Sequence, residues 1–399
     1  MTQHALLVAT GIVAALLAGP AAVAEHVPIS EIQWACGFGG SGQRGHPDDC
    51  GINAIDQPLF EGDDWLRGDD RVLGVVIDGD TRAYPVKMLN SHEIVNDVVG
   101  GVPVAVTFCP LCGSGVTFER TLQLTDGDQE VVTMFEASGF LYRHDLVMHD
   151  RATGTLWTQI QGTAIASLEG DRVRAPHLEH RLEVVPTQVM DWSAWKEEHP
   201  DTLLLQPQRT SYPDPYASRG YYGSCDFGIS GSGECDVRGL HPKERVVGVA
   251  DPETGDARAW PLFGVLGVGG VVADEEALGG RTVVVAAEPS GAVQVFDGGQ
   301  RSFAADEAGF WLDDQGAAWD LRTGRSLDGG AALPLLDSMV LFWFAWEQHH
   351  ETTTLWQPPE GTEGARDLED NGKLPGFTIG IVAVLLLSTA ILRRRRGVP

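Results

Sequence analysis

The residues of this chain that could do chemistry centre on one short stretch, Cys109-Pro-Leu-Cys112-Gly113. Two cysteines at this spacing can chelate a metal ion, act as a redox dithiol or close into a small disulfide. The residues that follow, Ser114-Gly-Val-Thr-Phe-Glu119, predict a turn and then a strand rather than a helix. Without a helix N-terminus to lower the thiol pKa, thioredoxin-like chemistry is not favoured. The stretch is closer to a metal knuckle, which supplies two ligands and needs others from elsewhere in the fold.

Further ligands are sought among the imidazoles and carboxylates of the flanking segments. Thiolates combined with imidazole favour zinc or copper(I) over magnesium or calcium. His92 is the expected third metal ligand, or a proton carrier, beside Cys109 and Cys112. The candidate catalytic residues are His92, Glu93, Asn96 and Asp150, and two more imidazoles stand nearby, at His144 and His149. Each has a structural alternative: His92 and Asn96 as hydrogen-bond partners of a strand, Asp150 as an ion pair with Arg151 in a turn, and His144 and His149 as solvated side chains.

The passage around the cysteines occurs twice in the chain. Residues 104–113 align without a gap with residues 282–291, and the match extends through further landmarks. These are Arg82-Ala-Tyr-Pro85 with Arg258-Ala-Trp-Pro261, Phe118 with Phe296, Gly154-Thr-Leu-Trp157 with Gly316-Ala-Ala-Trp319, and Ala194-Trp195 with Ala345-Trp346. In this alignment Ala287 replaces Cys109, Ser290 replaces Cys112 and Gly270 replaces His92. What both copies keep is scaffold, so the first copy is predicted to hold the chemistry and the second to be inert.

The repeat and the residue patterns predict a β-rich α+β fold of two tandem homologous lobes, the second degenerate, with short helices packed on mostly antiparallel strands. The sequence lacks a long alternation of strands and helices, which disfavours a Rossmann-type sheet. In the first lobe we expect a hairpin of residues 72–77 and 81–84 around Asp78-Gly79, a helical pattern over residues 86–98, and a short helix over residues 189–198.

The other four cysteines are expected to form disulfides. Cys36-Gly-Phe-Gly-Gly-Ser-Gly42 is similar to Cys225-Asp-Phe-Gly-Ile-Ser-Gly231, and each is followed by another cysteine, Cys50 and Cys235. An exported chain meets oxidising conditions, and a bridge across such a glycine-rich loop contributes about 2–3 kcal/mol. The pattern predicts Cys36–Cys50 and Cys225–Cys235. The alternative, four ligands to one metal, has the wrong spacing for zinc knuckles.

Both ends of the chain carry export and anchoring signals. Residues 5–24 form an apolar run that closes in Ala22-Val-Ala24, the form of a cleaved signal peptide, although residues 1–4 contain no Lys or Arg and leave an uncleaved anchor as the alternative. Residues 378–392 are apolar and precede four arginines, which the positive-inside rule places in the cytoplasm. Pro375-Gly-Phe377 before this run resembles the PGF-CTERM sorting signal of haloarchaeal surface proteins. The resemblance implies an archaeosortase-type enzyme that transfers the chain to a lipid; a plain membrane anchor is the alternative.

The composition limits the classes of partner. The formal net charge is −28, from 56 acidic and 28 basic residues. Such a surface repels the phosphate backbone, which excludes nucleic acid as an expected partner. Dense carboxylates are typical of proteomes adapted to high salt, with cation binding as the alternative. Together with the two ends, the composition predicts a protein exported to the extracellular face of the cell membrane.

The predicted organisation follows from these signals. Its parts are a signal peptide (1–24), a disulfide-stapled N-terminal segment (25–70), the first repeat (71–220), a disulfide-stapled connector (221–244), the second repeat (245–356), an acidic linker (357–374) and a C-terminal membrane anchor or sorting signal (375–399).

Four motifs of the first half occur in the order of a known family. They are His92-Glu-Ile-Val-Asn-Asp97, Thr107-Phe-Cys-Pro-Leu-Cys-Gly-Ser-Gly115, Asp150-Arg-Ala-Thr-Gly-Thr-Leu-Trp157 with Gln159, and Tyr212-Pro-Asp-Pro-Tyr216. This set resembles the family called domain of unknown function 3179, over roughly residues 50–220. The resemblance implies no particular activity, and on this alignment the second half resembles the family only as a decayed copy.

Two hypotheses of different class remain. In the first, the protein is a surface metalloprotein that binds zinc or copper, or a thiol-redox protein, centred on Cys109 and Cys112. In the second, it is a non-catalytic envelope module with a structural Cys109–Cys112 disulfide, which binds a carbohydrate or protein through surface tyrosines, namely Tyr212, Tyr216, Tyr221 and Tyr222. A hydrolase is disfavoured because the chain has neither a GxSxG nor an HExxH motif. Whether the protein is an enzyme is left open.

Overall fold

The computed structural model describes residues 27–35, 51–123, 129–169, 172–174, 181–209, 216, 220–228, 234–252, 254–305, 310–360 and 362. The predicted signal peptide, both Cys36 and Cys50, Tyr212, and the predicted C-terminal anchor lie outside these residues. Within the described ranges, the helices are all too short or too polar to cross a bilayer.

The first lobe is built from short strands and two short helices. Its strands are β1 (Ile32–Trp34), β2 (Arg71–Ile77), β3 (Asp80–Pro85), β4 (Ile94–Val99), β5 (Val102–Cys109), β6 (Ser114–Glu119), β7 (Thr121–Gln123), β8 (Glu130–Val132), β9 (Phe135–Tyr142), β10 (Asp145–Asp150), β11 (Thr155–Thr158), β12 (Ala164–Glu169), β13 (Arg172–Arg174), β14 (Val184–Val185), β15 (Thr187–Asp191) and β16 (Leu203–Leu204). Its helices are α1 (Val86–His92) and α2 (Trp192–Glu198). They form the sheets β1-β9-β10-β11-β12-β13, β14-β6-β5-β4 and β15-β2-β3-β16, with β7 and β8 paired separately.

The second lobe repeats this plan with fewer residues. Its strands are β17 (Arg245–Ala250), β18 (Ala257–Pro261), β19 (Val271–Asp274), β20 (Thr282–Ala287), β21 (Val293–Gly299), β22 (Phe303–Ala305), β23 (Trp311–Asp313), β24 (Ala318–Asp320), β25 (Arg325–Ser326), β26 (Met339–Phe342) and β27 (Thr354–Leu355). Its helices are α3 (Leu262–Gly267) and α4 (Trp343–His349). They form the sheets β26-β17-β18-β27, β19-β20-β21 and β22-β23-β24-β25. The predicted β-rich α+β fold of two tandem lobes is confirmed, and most strand pairs are antiparallel; β16 with β3 and β27 with β18 are parallel.

Equivalent tryptophans, Trp195 and Trp346, anchor the cores of the two lobes. The indole Nε1 of Trp195 donates to the Thr202 hydroxyl at 2.9 Å, and that of Trp346 donates to the Thr353 hydroxyl at 2.8 Å. Each indole lies directly on a glycine of a central strand, where a Cβ would clash with the ring: Gly74 in β2 and Gly248 in β17. The residues that the two copies share are therefore scaffold.

The local predictions near the knuckle are largely confirmed. β2 and β3 form the expected hairpin, with Asp78 at φ 48° and Gly79 at φ 83°, as a two-residue turn requires. β5 and β6 form the expected hairpin around the cysteine loop, with Cys109 paired to Ser114. Gly113, at φ 62°, supplies the left-handed residue of that loop.

The helix predicted over residues 86–98 is wrong in its second half. The helix ends at His92, and β4 begins at Ile94. Four of the six residues of β4, Ile94, Val95, Val98 and Val99, are β-branched, and such residues pack well on a pleated surface. His92 and Asn96 consequently do not share a helix face. The second predicted helix, over residues 189–198, starts only at Trp192 because Val189 belongs to β15.

The gap-free alignment of the two cysteine loops is also wrong, by one residue. β5 and β6 pair Phe108 with Gly115 and enclose residues 109–114. β20 and β21 pair Ala287 with Val293 and enclose residues 288–292, one residue fewer. Because the second loop is shorter, Ala287 is the counterpart of Phe108 rather than of Cys109.

Equivalent hydrogen bonds in the two lobes show that the alignment of the residues just before β4 and β19 is also shifted by one residue. The Phe108 amide donates to the Glu93 carbonyl, and the Ala287 amide donates to the Gly270 carbonyl, both at 2.8 Å. Gly270 is therefore the counterpart of Glu93 rather than of His92. The residue of the second lobe that corresponds to Cys109 is Glu288, which is exposed. The second loop still carries no sulfur, so the asymmetry between the lobes stands.

The two lobes contact one another through these loops. The Phe342 amide donates to the Cys112 carbonyl, and the Asp191 amide donates to the Ser290 carbonyl, both at 2.8 Å. Each loop therefore contacts the strand that precedes the last helix of the opposite lobe. The cysteine loop thus lies at the interface between the lobes.

Candidate metal centre

The four cysteines that the structure describes are in two chemical states. Cys225 and Cys235 form the predicted disulfide, with their Cα atoms 4.8 Å apart. Cys109 and Cys112 are free thiols, 1% and 0% exposed. The predicted bridge Cys36–Cys50 involves residues outside the described ranges. The knuckle therefore presents two buried sulfurs that are available as ligands.

A carboxylate completes a three-residue group with these sulfurs. Asp145, fully buried, lies with Cys109 and Cys112 so that one ligand atom from each is within 4.8 Å of the others. The amide of Ile160 donates to Asp145 Oδ2 at 2.9 Å and orients the carboxyl group. Asp145 Oδ1 has no hydrogen-bond partner among the residues that the structure describes. Such an orphaned oxygen beside two thiols fits the coordination of a cation.

Asp145 was missed by the sequence reasoning, which selected Asp150 instead. Asp145 is the first residue of β10, after a turn in which Arg143 and His144 have φ of 50° and 65°. These are the two central residues of the β9–β10 hairpin, and such a turn requires positive φ at both positions. Arg-His lacks the Asn-Gly or Asp-Gly pattern typical of this turn, so the residue types do not indicate where β10 and Asp145 begin.

Burial shifts the pKa of every acidic group at the site upward. It raises the pKa of Asp145 to about 7, although backbone amides act in the opposite direction. It raises the pKa of Glu93 to about 8, with help from the nearby charge of Asp145. The pKa values of both thiols, Cys109 and Cys112, are raised for the same first cause. A bound cation would reverse these shifts by compensating the negative charges.

The second lobe places a histidine beside Asp145, outside the group of ligand atoms within 4.8 Å of one another. His349, at the end of α4, has a fully buried side chain, and its Nε2 lies 3.9 Å from Asp145 Oδ2. Burial lowers the pKa of His349 to about 3, so the ring is neutral and forms no ion pair. A separation of 3.9 Å is also too long for a hydrogen bond. Sequence reasoning missed His349 because it assigned the second copy no chemistry.

His92 resembles His349 in its hydrogen bonding. Its Nδ1 lies 2.8 Å from the Asn53 carbonyl oxygen, and its buried Nε2 has no hydrogen-bond partner among the described residues. It is not in the group formed by Cys109, Cys112 and Asp145. Since Glu93 bonds to Phe108, His92 and Cys109 lie at the same end of the β4–β5 pair.

Glu93 occupies a position that the second lobe gives to glycine. Its φ is 58°, and its counterpart Gly270 has φ 82°. A glycine meets this conformation without strain, whereas a glutamate does not. The first lobe therefore keeps a glutamate with a strained backbone at the end of the strand pair that carries Cys109. Strain of this kind, which costs stability, is more often retained for function.

The other predicted site residues make contacts within the scaffold. The Asn96 side chain exchanges two hydrogen bonds of 2.8 Å with the Phe135 backbone, which ties β4 to β9. Asp150 accepts the indole Nε1–H of Trp157 at 3.0 Å, and Asp313 accepts that of Trp319 at 3.0 Å in the second lobe. The sulfur-free lobe keeps this bond, so holding the tryptophan is a structural role of Asp150. His149 bonds to Glu136 at 2.8 Å, and His144 packs against Phe227.

A buried polar network holds the knuckle from behind. Ser114 Oγ donates to Gln159 Oε1 at 2.7 Å, and Gln159 Nε2 donates to Thr107 Oγ1 at 3.1 Å. Gln159 thereby bridges β5 and β6 directly below the cysteine loop. The side chains of all three residues are completely buried, so the network fixes the loop against the core.

The fold and site define a class: two-lobed, β-rich proteins with a buried cluster of metal-ligand residues in one lobe. Residues 49–353 match the family described as "Protein of unknown function (DUF3179)", and the chain belongs to this family. The match extends through the second lobe, beyond the expected residues 50–220, and it includes His349. Comparisons with curated proteins and with solved structures gave no significant match.

Proposed function

We propose that the protein is a metal-binding protein of the cell surface that holds one transition-metal ion between Cys109, Cys112 and Asp145. The observation that carries the proposal is the convergence of three buried ligand atoms within 4.8 Å of one another. Ligand atoms on a tetrahedral zinc ion lie about 3.3–3.8 Å apart, as its bond lengths require. A small contraction of the group would therefore form the site.

The donor types favour zinc, with copper as the second choice. Two thiolates suit either zinc or copper(I), but the carboxylate of Asp145 is a hard oxygen ligand that suits zinc better. His92, which the sequence suggested as a ligand, has an Nε2 without a hydrogen-bond partner among the described residues, near the same end of the strand pair, and is an additional candidate. The metal would displace the protons of both thiols and of Asp145.

Thiol redox chemistry is the second candidate, and one contact favours it. The Cys109 sulfur lies within 4.8 Å of a carboxylate oxygen of Asp145, whose pKa of about 7 suits a proton acceptor at neutral pH. Cys109 and Cys112 would close into a disulfide while an external disulfide is reduced to two thiols. The complete burial of both sulfurs and their raised pKa values weigh against this chemistry, because exchange needs an accessible thiolate.

The placement at the cell surface is part of the proposal. The Cys225–Cys235 disulfide and the acidic composition support export, since such bridges persist in oxidising compartments. Residues 375–399 would attach the chain to the membrane, as a helix or through a lipid added by an archaeosortase-type enzyme. Removal of these residues is expected to shift the protein from the membrane fraction to the medium; retention in the membrane fraction would contradict the anchor.

Metal analysis and thiol titration of the native protein test the centre. We expect one metal ion per chain, lost in Cys109→Ser and Cys112→Ser. The matched control is Glu288→Gln, at the counterpart of Cys109 in the second lobe, which should keep the metal. Free thiols without metal that oxidise reversibly to a disulfide would favour the redox candidate. A permanent Cys109–Cys112 disulfide without metal would favour the non-catalytic envelope module.

A further inference from the structure

We infer that His349 of the second lobe is the fourth ligand of this metal, so that the ion joins the two lobes. The inference rests on the proposed site at Cys109, Cys112 and Asp145. It assigns a function to the lobe that the sequence predicts to be inert.

The tautomer of His349 is the one that metal ligation needs. Its Nδ1 lies 2.9 Å from the Ala345 carbonyl oxygen, which can only accept a hydrogen bond. Nδ1 therefore carries the proton, and the lone pair is on Nε2. Histidines that bind metals commonly donate their other ring N–H to a backbone carbonyl in this way.

The lone pair of His349 faces the site and has no competing partner. Nε2 is buried and lacks a hydrogen-bond partner among the described residues. It is 3.9 Å from Asp145 Oδ2, against about 3.3 Å between two such ligands on a tetrahedral ion. His349 lies outside the group of ligand atoms within 4.8 Å of one another, so ligation requires the imidazole and the sulfurs to move closer together. When the ring is neutral and Asp145 is ionised, both facing atoms are acceptors, and a cation between them would be attracted by both.

The first lobe holds His349 in place from several sides. The Tyr142 ring packs edge-on against the imidazole, with centroids 5.9 Å apart. Arg143 Nη1 donates to the Gln348 carbonyl at 2.5 Å, and Gln161 Nε2 donates to the His349 carbonyl at 3.4 Å. The imidazole is therefore positioned by the same β9–β10 hairpin that presents Asp145.

The internal repeat shows that the scaffold does not require a histidine here. α2 and α4 are equivalent, and the residue of α2 that corresponds to His349 is Glu198, which is exposed. Trp195 and Trp346 anchor the two helices in the same manner. A buried imidazole at this position thus belongs to the lobe that faces the sulfurs, and the opposite helix, which faces the sulfur-free loop, has none.

Four protein ligands would leave no open coordination position. Such closed sites are structural, whereas catalytic zinc keeps a position for water or substrate. The ion would tie β5, β10 and α4 together and stabilise the docking of the second lobe on the first.

X-ray absorption of the zinc-loaded, full-length protein tests the assignment without a variant. We expect two sulfur and two nitrogen or oxygen ligands, with the outer-shell scattering of one imidazole. His349→Gln should lose that imidazole signal, and His92→Gln should keep it. A wild-type spectrum without imidazole, or one whose imidazole signal disappears in His92→Gln alone, would overturn the assignment of His349.

Cobalt binding separates this inference from the proposed site. Wild-type protein should give the intense ligand-field bands of tetrahedral cobalt, and His349→Gln should bind at least ~10-fold more weakly with a less tetrahedral spectrum. The matched control, Glu198→Gln on the equivalent helix, should match wild type, and near-ultraviolet circular dichroism of the metal-free forms verifies folding. Equal cobalt binding by wild type and His349→Gln would contradict the inference alone. No binding by wild type, with both thiols reduced, would refute the proposed site as well.

Discussion

The amide of Phe342 in the second lobe donates a 2.8 Å hydrogen bond to the carbonyl of Cys112 in the first. This bond attaches the cysteine loop to the strand that leads directly into α4 and His349. The reciprocal bond from Asp191 to Ser290 connects the sulfur-free loop to the first lobe in the same way. The lobe interface and the candidate metal centre are therefore one structure, and changes to either should be measurable in the other.

Substitution of Gly113 should damage both the interface and the centre. A Cβ at this position would lie 2.9 Å from the Phe342 ring, and the residue has φ 62°. We expect Gly113→Ala to lower the free energy of unfolding by about 1–2 kcal/mol for the backbone conformation and by about 1–3 kcal/mol more for the clash. Denaturant unfolding measures the loss, and metal affinity should fall with it.

Gly79 provides the control for this prediction. Its φ is 83°, but a Cβ there would meet nothing within 4 Å. Gly79→Ala should therefore show only the backbone cost and normal metal binding. Equal destabilisation by the two substitutions would show that Phe342 does not press on the loop.

Asp145 should make the stability of the metal-free protein depend on pH. Its pKa rises from 3.8 in the unfolded chain to about 7 in the folded one, so the folded state binds more protons between these values. The contribution of Asp145 to stability is then complete below about pH 4, falls by ~1.4 kcal/mol per pH unit as pH rises towards 7, and changes no further above that. Asp145→Asn should remove this contribution and leave that of Glu93 in denaturant unfolding measured across the range.

Glu93→Gln separates the contribution of Glu93 to the pH dependence of stability from that of Asp145. The pKa of Glu93 is raised to about 8, so its share of the slope extends to higher pH than that of Asp145. With metal bound the dependence on pH should be opposite in sign, because ligands must lose protons to bind the ion. A metal-free protein whose stability does not change between pH 4 and 8 would contradict the buried position of both groups.

Local patterns made part of the site predictable. The strand–loop–strand pattern around Cys109 and Cys112 gave the correct hairpin because turn and strand preferences are local. The Cys225–Cys235 bridge followed from a short, glycine-rich loop. The plan of two lobes followed from the repeated landmarks, whose tryptophans form the same core contacts in both lobes.

The remaining ligands depend on contacts that no local pattern encodes. Asp145 reaches the sulfurs through the pairing of β9 with β10, and His349 through the docking of one lobe on the other. The internal repeat did not indicate His349, because the second copy was predicted to be inert scaffold. His92 was selected for its proximity in sequence to the motif, yet its distance from the sulfurs is set by the end of α1.

Replacing Glu93 with glycine should stabilise the protein. The counterpart Gly270 also adopts a positive φ, without a Cβ, so Glu93→Gly removes a backbone strain of about 1–2 kcal/mol. This gain is offset by about 0.5–1 kcal/mol of added chain entropy in the unfolded state. It also removes a carboxyl group whose burial is unfavourable. Thermal and denaturant unfolding should show a net gain, whereas Glu93→Gln, which keeps the strain, should gain less. A loss of stability in Glu93→Gly would mean that the glutamate contributes packing that outweighs its strain.

Asp150 offers a test of the division between scaffold and site. Its carboxylate accepts the Trp157 indole N–H at 3.0 Å and the Thr153 amide at 2.8 Å, and it is fully buried. In Asp150→Asn, one of the two acceptor oxygens becomes an NH2 group that cannot accept, so one side of this bonding is lost, which should cost about 1.5–3 kcal/mol. Metal stoichiometry and the cobalt spectrum should not change, because Asp150 is outside the group of ligand atoms. Asp313→Asn, the same change at the equivalent Trp319 contact, is the control in the lobe without sulfur. If Asp150→Asn removed the metal from a folded protein while Asp313→Asn did not, Asp150 would belong to the centre after all.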